Sequence, residues 1–363
     1  MRSSLAPSYY CDETLFRREI DTLFHSAWQL VGFTTDLKNA NDYIVRTVNR
    51  KSLVIQNFAG ELRAFHNVCS HRQSRIRADA NGNGPLRCPY HGWTYNSAGL
   101  PFSIPNRPLF DSADLECADA LALHRFAVEA CGALVFVRMA ADGPSLRDYL
   151  GDAYEHMLAV GSALGEQLSY YPMLIRANWK VIVENTLEGY HVNYVHAHSL
   201  KRLGTSGSDI AIQEPHSTYR SPTEQKAGPT RDRLNAAFRT RPFQTDDYIH
   251  QLVFPNATIA TAHGTSFNVN VMRPLNAGET EVLVYVFETR LGDLTRDEHA
   301  LVKAMRPSVV ELTNTTFDED KAICEQVQLG LSETTRVSIL SQEERRIQAF
   351  HEAYMSRLGA SAV

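Results

Sequence analysis

The sequence predicts an α+β chain that opens with a β-rich unit and continues as a larger unit of helices around an antiparallel sheet. Short runs rich in Val, Ile and Phe recur between residues 27 and 138, at 43–48, 52–58, 62–68 and 133–139. Turn residues separate them, including Ala59-Gly60 and Asn81-Gly82-Asn83-Gly84-Pro85, a pattern typical of a small all-β unit. After Pro144 the character changes, and longer helix-like stretches alternate with strand-like ones.

Ahead of the β-rich unit, Leu15, Phe16, Ile20, Leu23, Phe24 and Trp28 recur at helical spacing, so a helix is expected over 12–28 with Asp12 as its N-cap. Further helices are expected over 145–160 and 178–197. Strands are expected over 247–262, 265–274 and 280–290, with residues 274–278 as a turn. Helices over 295–329 and 341–358 close the pattern. Residues 199–246 are polar and contain Gly, Ser and Thr, and they read as a long mobile loop near the site.

A length of 363 residues allows two cores, and 44% hydrophobic with 21% charged residues is ordinary globular composition. The net charge of −5, with no basic run, argues against nucleic acid, because phosphate contacts need clustered Lys and Arg. Residues 1–10 lack an apolar signal segment, and no apolar run approaches the ~20 residues of a membrane span. A cytoplasmic protein without membrane contact is expected. Its cysteines, Cys11, Cys69, Cys88, Cys117, Cys131 and Cys324, then do not read as a disulfide framework. Cys69 and Cys88 sit in a metal pattern, and the other four are expected to be buried small hydrophobes.

That pattern is Cys69-Ser-His71-Arg72, followed after an interval by Cys88-Pro-Tyr-His91-Gly92-Trp93. Two thiolates and two imidazoles can hold a tetrahedral zinc. They can equally hold a Rieske [2Fe-2S] cluster, with both Cys on one iron and both His on the other. The stretch closely resembles the Rieske family. Respiratory members carry two further cysteines near the cluster, and the matching positions here look like Ser74 and Tyr90. The resemblance is therefore to the lower-potential kind found in oxygenases and their ferredoxins.

A second constellation reads Asn178-Trp179-Lys180, then Glu184-Asn185, then Glu188-Gly189-Tyr190-His191, with His196 beyond it. Downstream come Asp318-Glu319-Asp320, Glu325 and Gln328. Two histidines and one carboxylate on one face of an iron leave positions open for O2 and substrate. Glu188 and His191 share a helix face at i,i+3, whereas His191 and His196, at i,i+5, do not. One of the histidines must lie past a helix end or an irregular turn. On residues alone, Glu188 is itself a possible ligand, and Asp318 and Glu319 compete with Asp320.

This stretch resembles the catalytic domain of Rieske non-haem iron oxygenase α subunits. The resemblance implies a helix-grip type catalytic domain formed by residues 1–26 and 139–363, beside a Rieske domain over 27–138. It implies a mononuclear Fe(II) held by His191, His196 and Asp320. Glu188 is implied as a catalytic bridge between this iron and a Rieske histidine of a neighbouring subunit, hence a homotrimer or a multiple of it. An NAD(P)H-dependent reductase, with or without a ferredoxin, is the implied partner. Glu188, where ring dioxygenases usually carry Asp, is similar to the carnitine, glycine-betaine and choline monooxygenase branch. The expected reaction is hydroxylation or oxidative demethylation of a quaternary ammonium or N-methyl compound, or of an aromatic acid, using O2. An electron carrier or redox sensor that uses the cluster alone is the rival, and the second constellation argues against it.

Other residues are read more plainly. His198, His216, His250 and His263 read as surface or satisfied core histidines. Tyr194, Phe243, Tyr248, Phe254, Phe267, Tyr285 and Phe287 suit either an aromatic cage or a core. A substrate carboxylate would need an Arg such as Arg273 or Arg290 in the pocket.

Overall fold

The computed structural model describes residues 3–112, 115, 118–196, 199, 209–223 and 229–359. The chain divides into two compact units, Phe24–Tyr149 and Met1–Leu23 with Leu150–Val363. The first is wider than the 27–138 expected, because backbone and side chains tie both flanks to it. Ala140 N–H donates to His25 O (2.9 Å), Trp28 Nε1 to Pro144 O (3.0 Å), and Leu146 N–H to Glu129 Oε2 (3.2 Å).

Among the described residues of the smaller unit, one antiparallel sheet runs β1 (Trp28–Phe33), β9 (Leu134–Arg138), β8 (Arg125–Cys131), β4 (Glu61–His66), β3 (Lys51–Phe58), β2 (Asp42–Val48) and β5 (Asn81–Asn83). A short hairpin, β6 (Thr94–Tyr95) with β7 (Pro101–Ser103), lies apart from it. One apolar cluster gathers Ile44, Leu53, Ile55, Val135 and Val137, and a second gathers Val54, Phe65, Ile76, Leu86, Trp93 and Tyr95. Alternation along β3 sends neighbours to opposite faces, so Val54 joins one cluster and Leu53 and Ile55 the other.

In the larger unit the sheet order is β10 (Leu164–Ile175), β16 (Glu279–Thr289), β15 (Ser266–Asn276), β14 (Ala257–Ala262), β13 (Asp247–Val253), β12 (His216–Pro222) and β11 (Asp209–Gln213). All pairings are antiparallel. The long helix Arg296–Ser332 packs on β10, β16 and the helix Trp179–Thr186. Its start is a capping box: Glu298 N–H donates to Thr295 Oγ1 and Thr295 N–H to Glu298 Oε2. Phe317, Asp320 and Cys324 are buried at its i, i+3, i+7 positions and mark the face turned inward.

Several expectations need correction. The first helix spans Glu13–Asp21 with Asp12 as its N-cap, accepting from Thr14 and Leu15 N–H, but Trp28 already belongs to β1. The expected strand 247–262 is two, because Phe254-Pro255-Asn256 interrupts it and proline offers no ladder donor. The expected loop 199–246 contains β11, β12 and the helix Pro229–Ala237, while residues 200–208 and 224–228 lie outside those described. Cys11 is exposed rather than buried, Cys131 and Cys324 are buried, and Cys117 lies outside the described residues.

The helix Trp179–Thr186 carries the second constellation and is pinned at its start. Asn178 Oδ1 caps it from Lys180 N–H, and Asn178 Nδ2 donates to Ala277 O. From the long helix, Glu325 Oε1 and Gln328 Oε1 accept from Arg176 and Asn178 N–H. Beside them Lys180 and Glu19, both with fully buried side chains, form an ion pair. Glu19 also accepts from Trp179 Nε1 (2.7 Å) and Tyr354 Oη (2.6 Å). Burial lowers the Lys180 pKa below 10.5 even though Glu19 raises it. In Glu19→Gln the charge loses its partner, and removal of one partner from a buried pair costs about 3–5 kcal/mol. The folded state then holds the Lys180 proton more weakly than the unfolded state does, so its stability should rise with pH toward 10.5. Urea unfolding of Glu19→Gln should show a deficit of about 3 kcal/mol at neutral pH that shrinks as pH climbs. Wild-type stability at neutral pH would remove the pair from this role.

Candidate metal centres

In the smaller unit, the two predicted ligand pairs sit on two loops of like construction. Cys69 N–H donates to Ser74 O and Gln73 N–H to Cys69 O; Cys88 N–H donates to Trp93 O and Gly92 N–H to Cys88 O. Each loop turns through a left-handed residue four positions after its Cys, Gln73 (φ 53°) and Gly92 (φ 73°). Isolated bridges Val68–Arg75 and Arg87–Thr94 close both loops at the same offset. Buried Asn67 braces the first by accepting from Ile76 and Arg77 N–H.

Both thiols are buried, and the His71 and His91 rings meet at 4.6 Å. His71 stacks on Trp93, centroids 4.9 Å apart and planes within 4°. Its Nδ1 is buried and has no hydrogen-bond partner, a costly state for a polar atom unless it binds a metal. These residues fit a Rieske cluster, with an inward lone pair on His71 and thiolate sulfurs shielded from water. Tyr95 Oη lies 3.0 Å from Cys69 Sγ, and burial raises its pKa well above the usual range, so it remains a donor to the sulfur. Sequence reading did not single it out.

In the larger unit the regular helix stops at Thr186. Leu187 N–H bonds back to Glu184 O, and Gly189 lies in the turn that follows. His191 then precedes a one-turn helix, Val192–Val195, and His196 follows it. This break is how residues five apart come to face the same point. His191 Nε2 and His196 Nε2 are 3.1 Å apart, and Asp320 Oδ1 lies 3.8 and 3.1 Å from them. Ligands about 2.1 Å from one ion and at right angles to each other stand about 3.0 Å apart, which these spacings approach.

The outer nitrogens are tied down. His191 Nδ1 bonds Glu188 Oε1, and His196 Nδ1 lies 2.8 Å from Glu319 Oε2. Each Nδ1 therefore carries the proton, and each Nε2 turns a lone pair toward the other and toward Asp320. Three acceptor atoms facing one another without a proton repel unless a cation lies between them, so the donor set fits a metal ion. Asn185 Nδ2 fixes Asp320 Oδ1 (2.8 Å), and Ser199 Oγ donates to Glu319. Asp318 does not join the group; its Oδ1 accepts from Tyr171 Oη. Glu188 contacts His191 through both oxygens, the second accepting the His191 N–H.

A cavity of about 270 Å3 opens over this group. Val192, Ala260, Val309, Leu312 and Phe317 give it apolar walls, and Tyr219, Tyr248, His250, Asn270 and Arg346 give it polar ones. Of the seven aromatics considered for a cage, Tyr248 alone is in this wall. Phe254, Phe267 and Phe287 are core residues. Arg273 is paired with Glu281, Arg290 is exposed, and neither lines the cavity. His216 is a core residue whose Nδ1 accepts from Phe254 N–H, and His198 lies outside the described residues. His250 is buried and bonded to Arg346, and His263 Nδ1 bonds Asp246 O; both also line the cavity. Arg346 was missed because nothing in its neighbourhood, Glu-Arg-Arg-Ile, distinguishes it from a surface helix.

Comparison with known proteins finds the two domains to which such centres belong. Residues 27–114 match the Rieske [2Fe-2S] domain, and residues 148–360 match the catalytic domain of ring hydroxylating alpha subunits. The glycine betaine monooxygenase oxygenase subunit of Pseudomonas aeruginosa is 31% identical over 55% of this chain and 46% of its own length, so the match spans about half of that relative. Chloroplastic choline monooxygenase of Arabidopsis thaliana is 28% identical over 91% of this chain and 77% of its own. A crystal structure of the quaternary ammonium Rieske monooxygenase CntA with L-carnitine shares the fold at TM-score 0.77, with 22% identity over 97% of this chain and 95% of that one. The chain belongs to the ring-hydroxylating alpha-subunit family of Rieske non-haem iron oxygenases, whose cofactors are a Rieske [2Fe-2S] cluster and a mononuclear iron. Among the described residues no helix is long and apolar enough to cross a membrane.

A donor to a cluster sulfur stabilises the charge added on reduction. Tyr95→Phe should keep the cluster's visible absorbance and lower its reduction potential, read by protein-film voltammetry. Cys69→Ala and His91→Ala should lose the absorbance. An unchanged potential in Tyr95→Phe would show that the hydroxyl does not tune the cluster.

Proposed function

We propose that this chain is the terminal oxygenase component of a system that hydroxylates or oxidatively demethylates a small organic molecule with O2. Electrons come from NAD(P)H through a separate reductase, with or without a ferredoxin, in the cytoplasm. The observation that carries this reading is the convergence of His191 Nε2, His196 Nε2 and Asp320 Oδ1 beneath a cavity. A free-standing electron carrier has no use for such a group.

His191, His196 and Asp320 would hold the iron, and Cys69, His71, Cys88 and His91 the cluster. Bound there, the iron supplies open positions for O2 and substrate, and the cluster supplies single electrons. Glu188 and Glu319 hold the ligand imidazoles in the tautomer that coordinates. Asn185 keeps Asp320 from rotating away. The apolar walls exclude water from the reacting carbon. Glu188 is also the candidate bridge to a Rieske histidine of the next subunit in a trimer. Its carboxylate already meets a ligand histidine, and a closed head-to-tail ring would bring a neighbour's cluster to it. The relatives named for choline, glycine betaine and carnitine support a small polar substrate.

Iron analysis should find one iron beyond the two of the cluster. His191→Ala, His196→Ala and Asp320→Ala should each lose that iron and all product, while the cluster absorbance stays. Glu319→Ala should weaken iron binding about 10- to 100-fold. Glu188→Gln should retain both metals yet slow single-turnover product formation, and sedimentation should find a trimer or its multiple. An Asp320→Ala enzyme that keeps its iron and turnover, with Glu188→Ala losing them, would make Glu188 the ligand.

A further inference from the structure

Arg346 is 1% exposed, and among the described residues no carboxylate lies within salt-bridge distance of it. Its guanidinium is held by neutral acceptors: Ser217 Oγ (3.0 Å), Ser217 O (3.1 Å), His250 Nδ1 (3.2 Å), His250 O (3.3 Å) and, weakly, Leu187 O (3.5 Å). Two of its nitrogens share the single lone pair of His250 Nδ1. The carboxylates that line the same cavity are engaged elsewhere, Glu188 with His191 and Asp320 with His196 and Asn185. Burying a cation without a counter-ion costs several kcal/mol, and burial lowers the Arg346 pKa to about 9. A neutral donor would serve as a latch between Ser217 and His250 at far smaller cost. The charge is explained if an anion arrives with the ligand.

His250 transmits that charge to the cavity. Because Arg346 donates to Nδ1, the His250 proton resides on Nε2, and burial beside a cation keeps the ring neutral. Among the described residues Nε2 has no hydrogen-bond partner, and His250 lines the cavity. A neutral N–H backed by a guanidinium is an anion donor. Tyr248, Arg346 and Asp320 line the same cavity, so the anion subsite and the metal group share it.

We propose that the substrate carries a carboxylate and that His250, with Arg346 behind it, is where the carboxylate binds; this rests on the oxygenase reading of the same cavity. His250 touches the substrate, and Arg346 is a positioning residue that sets the proton and the field. Charge-assisted hydrogen bonds are worth about 1.5–3 kcal/mol, or about ten- to a hundred-fold in Kd.

The test is calorimetric binding to the iron-loaded enzyme without electrons. Matched probes are glycine betaine against choline and benzoate against benzamide. At least one carboxylate should bind about ten-fold or more tightly than its carboxylate-free partner. That preference should collapse in Arg346→Gln and in His250→Phe, with cluster absorbance and melting temperature confirming that each variant is folded. Equal or tighter binding of both carboxylate-free partners to wild type overturns the proposal, and this outcome stands even if both variants fail to fold. So does failure of every carboxylate to bind, or a preference that survives in a folded Arg346→Gln. Because no turnover is needed, a wild type that prefers carboxylates but makes no product would defeat the oxygenase reading alone.

Discussion

Glu19 and Lys180 meet where no water reaches them, and three separate pieces of the chain are committed to that meeting. Glu19 comes from the first helix, Lys180 and Trp179 from the helix that leads to the metal group, and Tyr354 from the last helix. A buried pair contributes little net stability, since desolvation offsets most of the attraction. It does make alternatives expensive: any shift of the Trp179–Thr186 helix along its axis strands a charge. One turn further on, Glu184 Oε1 accepts from Tyr10 Oη (2.8 Å) of the short helix Ser8–Cys11 and lies 3.0 Å from His351 Nε2, so the N-terminal segment and the last helix are joined to it again. The residues that follow, Asn185, Glu188 and His191, inherit a fixed starting point. A metal group needs that, because its ligands must agree to within a few tenths of an ångström.

How legible each part was in the sequence depends on whether its geometry was local. The Cys69–His71 and Cys88–His91 pairs lie within tight loops whose bonds are made between near neighbours, so spacing carried the metal pattern, and the resemblance to the Rieske family chose a cluster over zinc. The i,i+5 interval from His191 to His196 announced an irregular turn, and the structure supplies one on either side of Val192–Val195. The paired roles of Glu319 and Asp320 were not legible, because adjacent helix positions differ by about 100° in direction and only the packed fold says which faces the cavity. Tyr95 and Arg346 were missed for the same reason. Their partners are Cys69, Ser217 and His250, and nothing in one dimension joins them.

Elements followed the same rule. Strands with clear apolar patterns, the Leu53-Val54-Ile55 run of β3 and the alternation of β15, were expected close to where they lie. β11 and β12 were hidden in polar sequence, because β11 is an edge strand and its apolar side chains do not form a complete face. β10 was hidden too: its alternation is weak, with Tyr170 and Leu174 half exposed. Pairing with β16 over most of its length, not its own pattern, keeps it in the sheet.

The histidines of the cavity show one principle used with opposite signs. An imidazole presents either a lone pair or an N–H, and the partner of its other nitrogen decides which. At His191 and His196 that partner is a carboxylate, Glu188 or Glu319. The carboxylate accepts a hydrogen bond from Nδ1–H, and the Nε2 lone pair is left turned toward Asp320. At His250 the partner is the Arg346 guanidinium, which can only donate. Nδ1 must accept, and Nε2 is left carrying the proton. The same side chain thus offers a lone pair on one wall and an N–H on another. An acid or a base placed behind each ring divides one cavity into an end that binds a cation and an end suited to an anion.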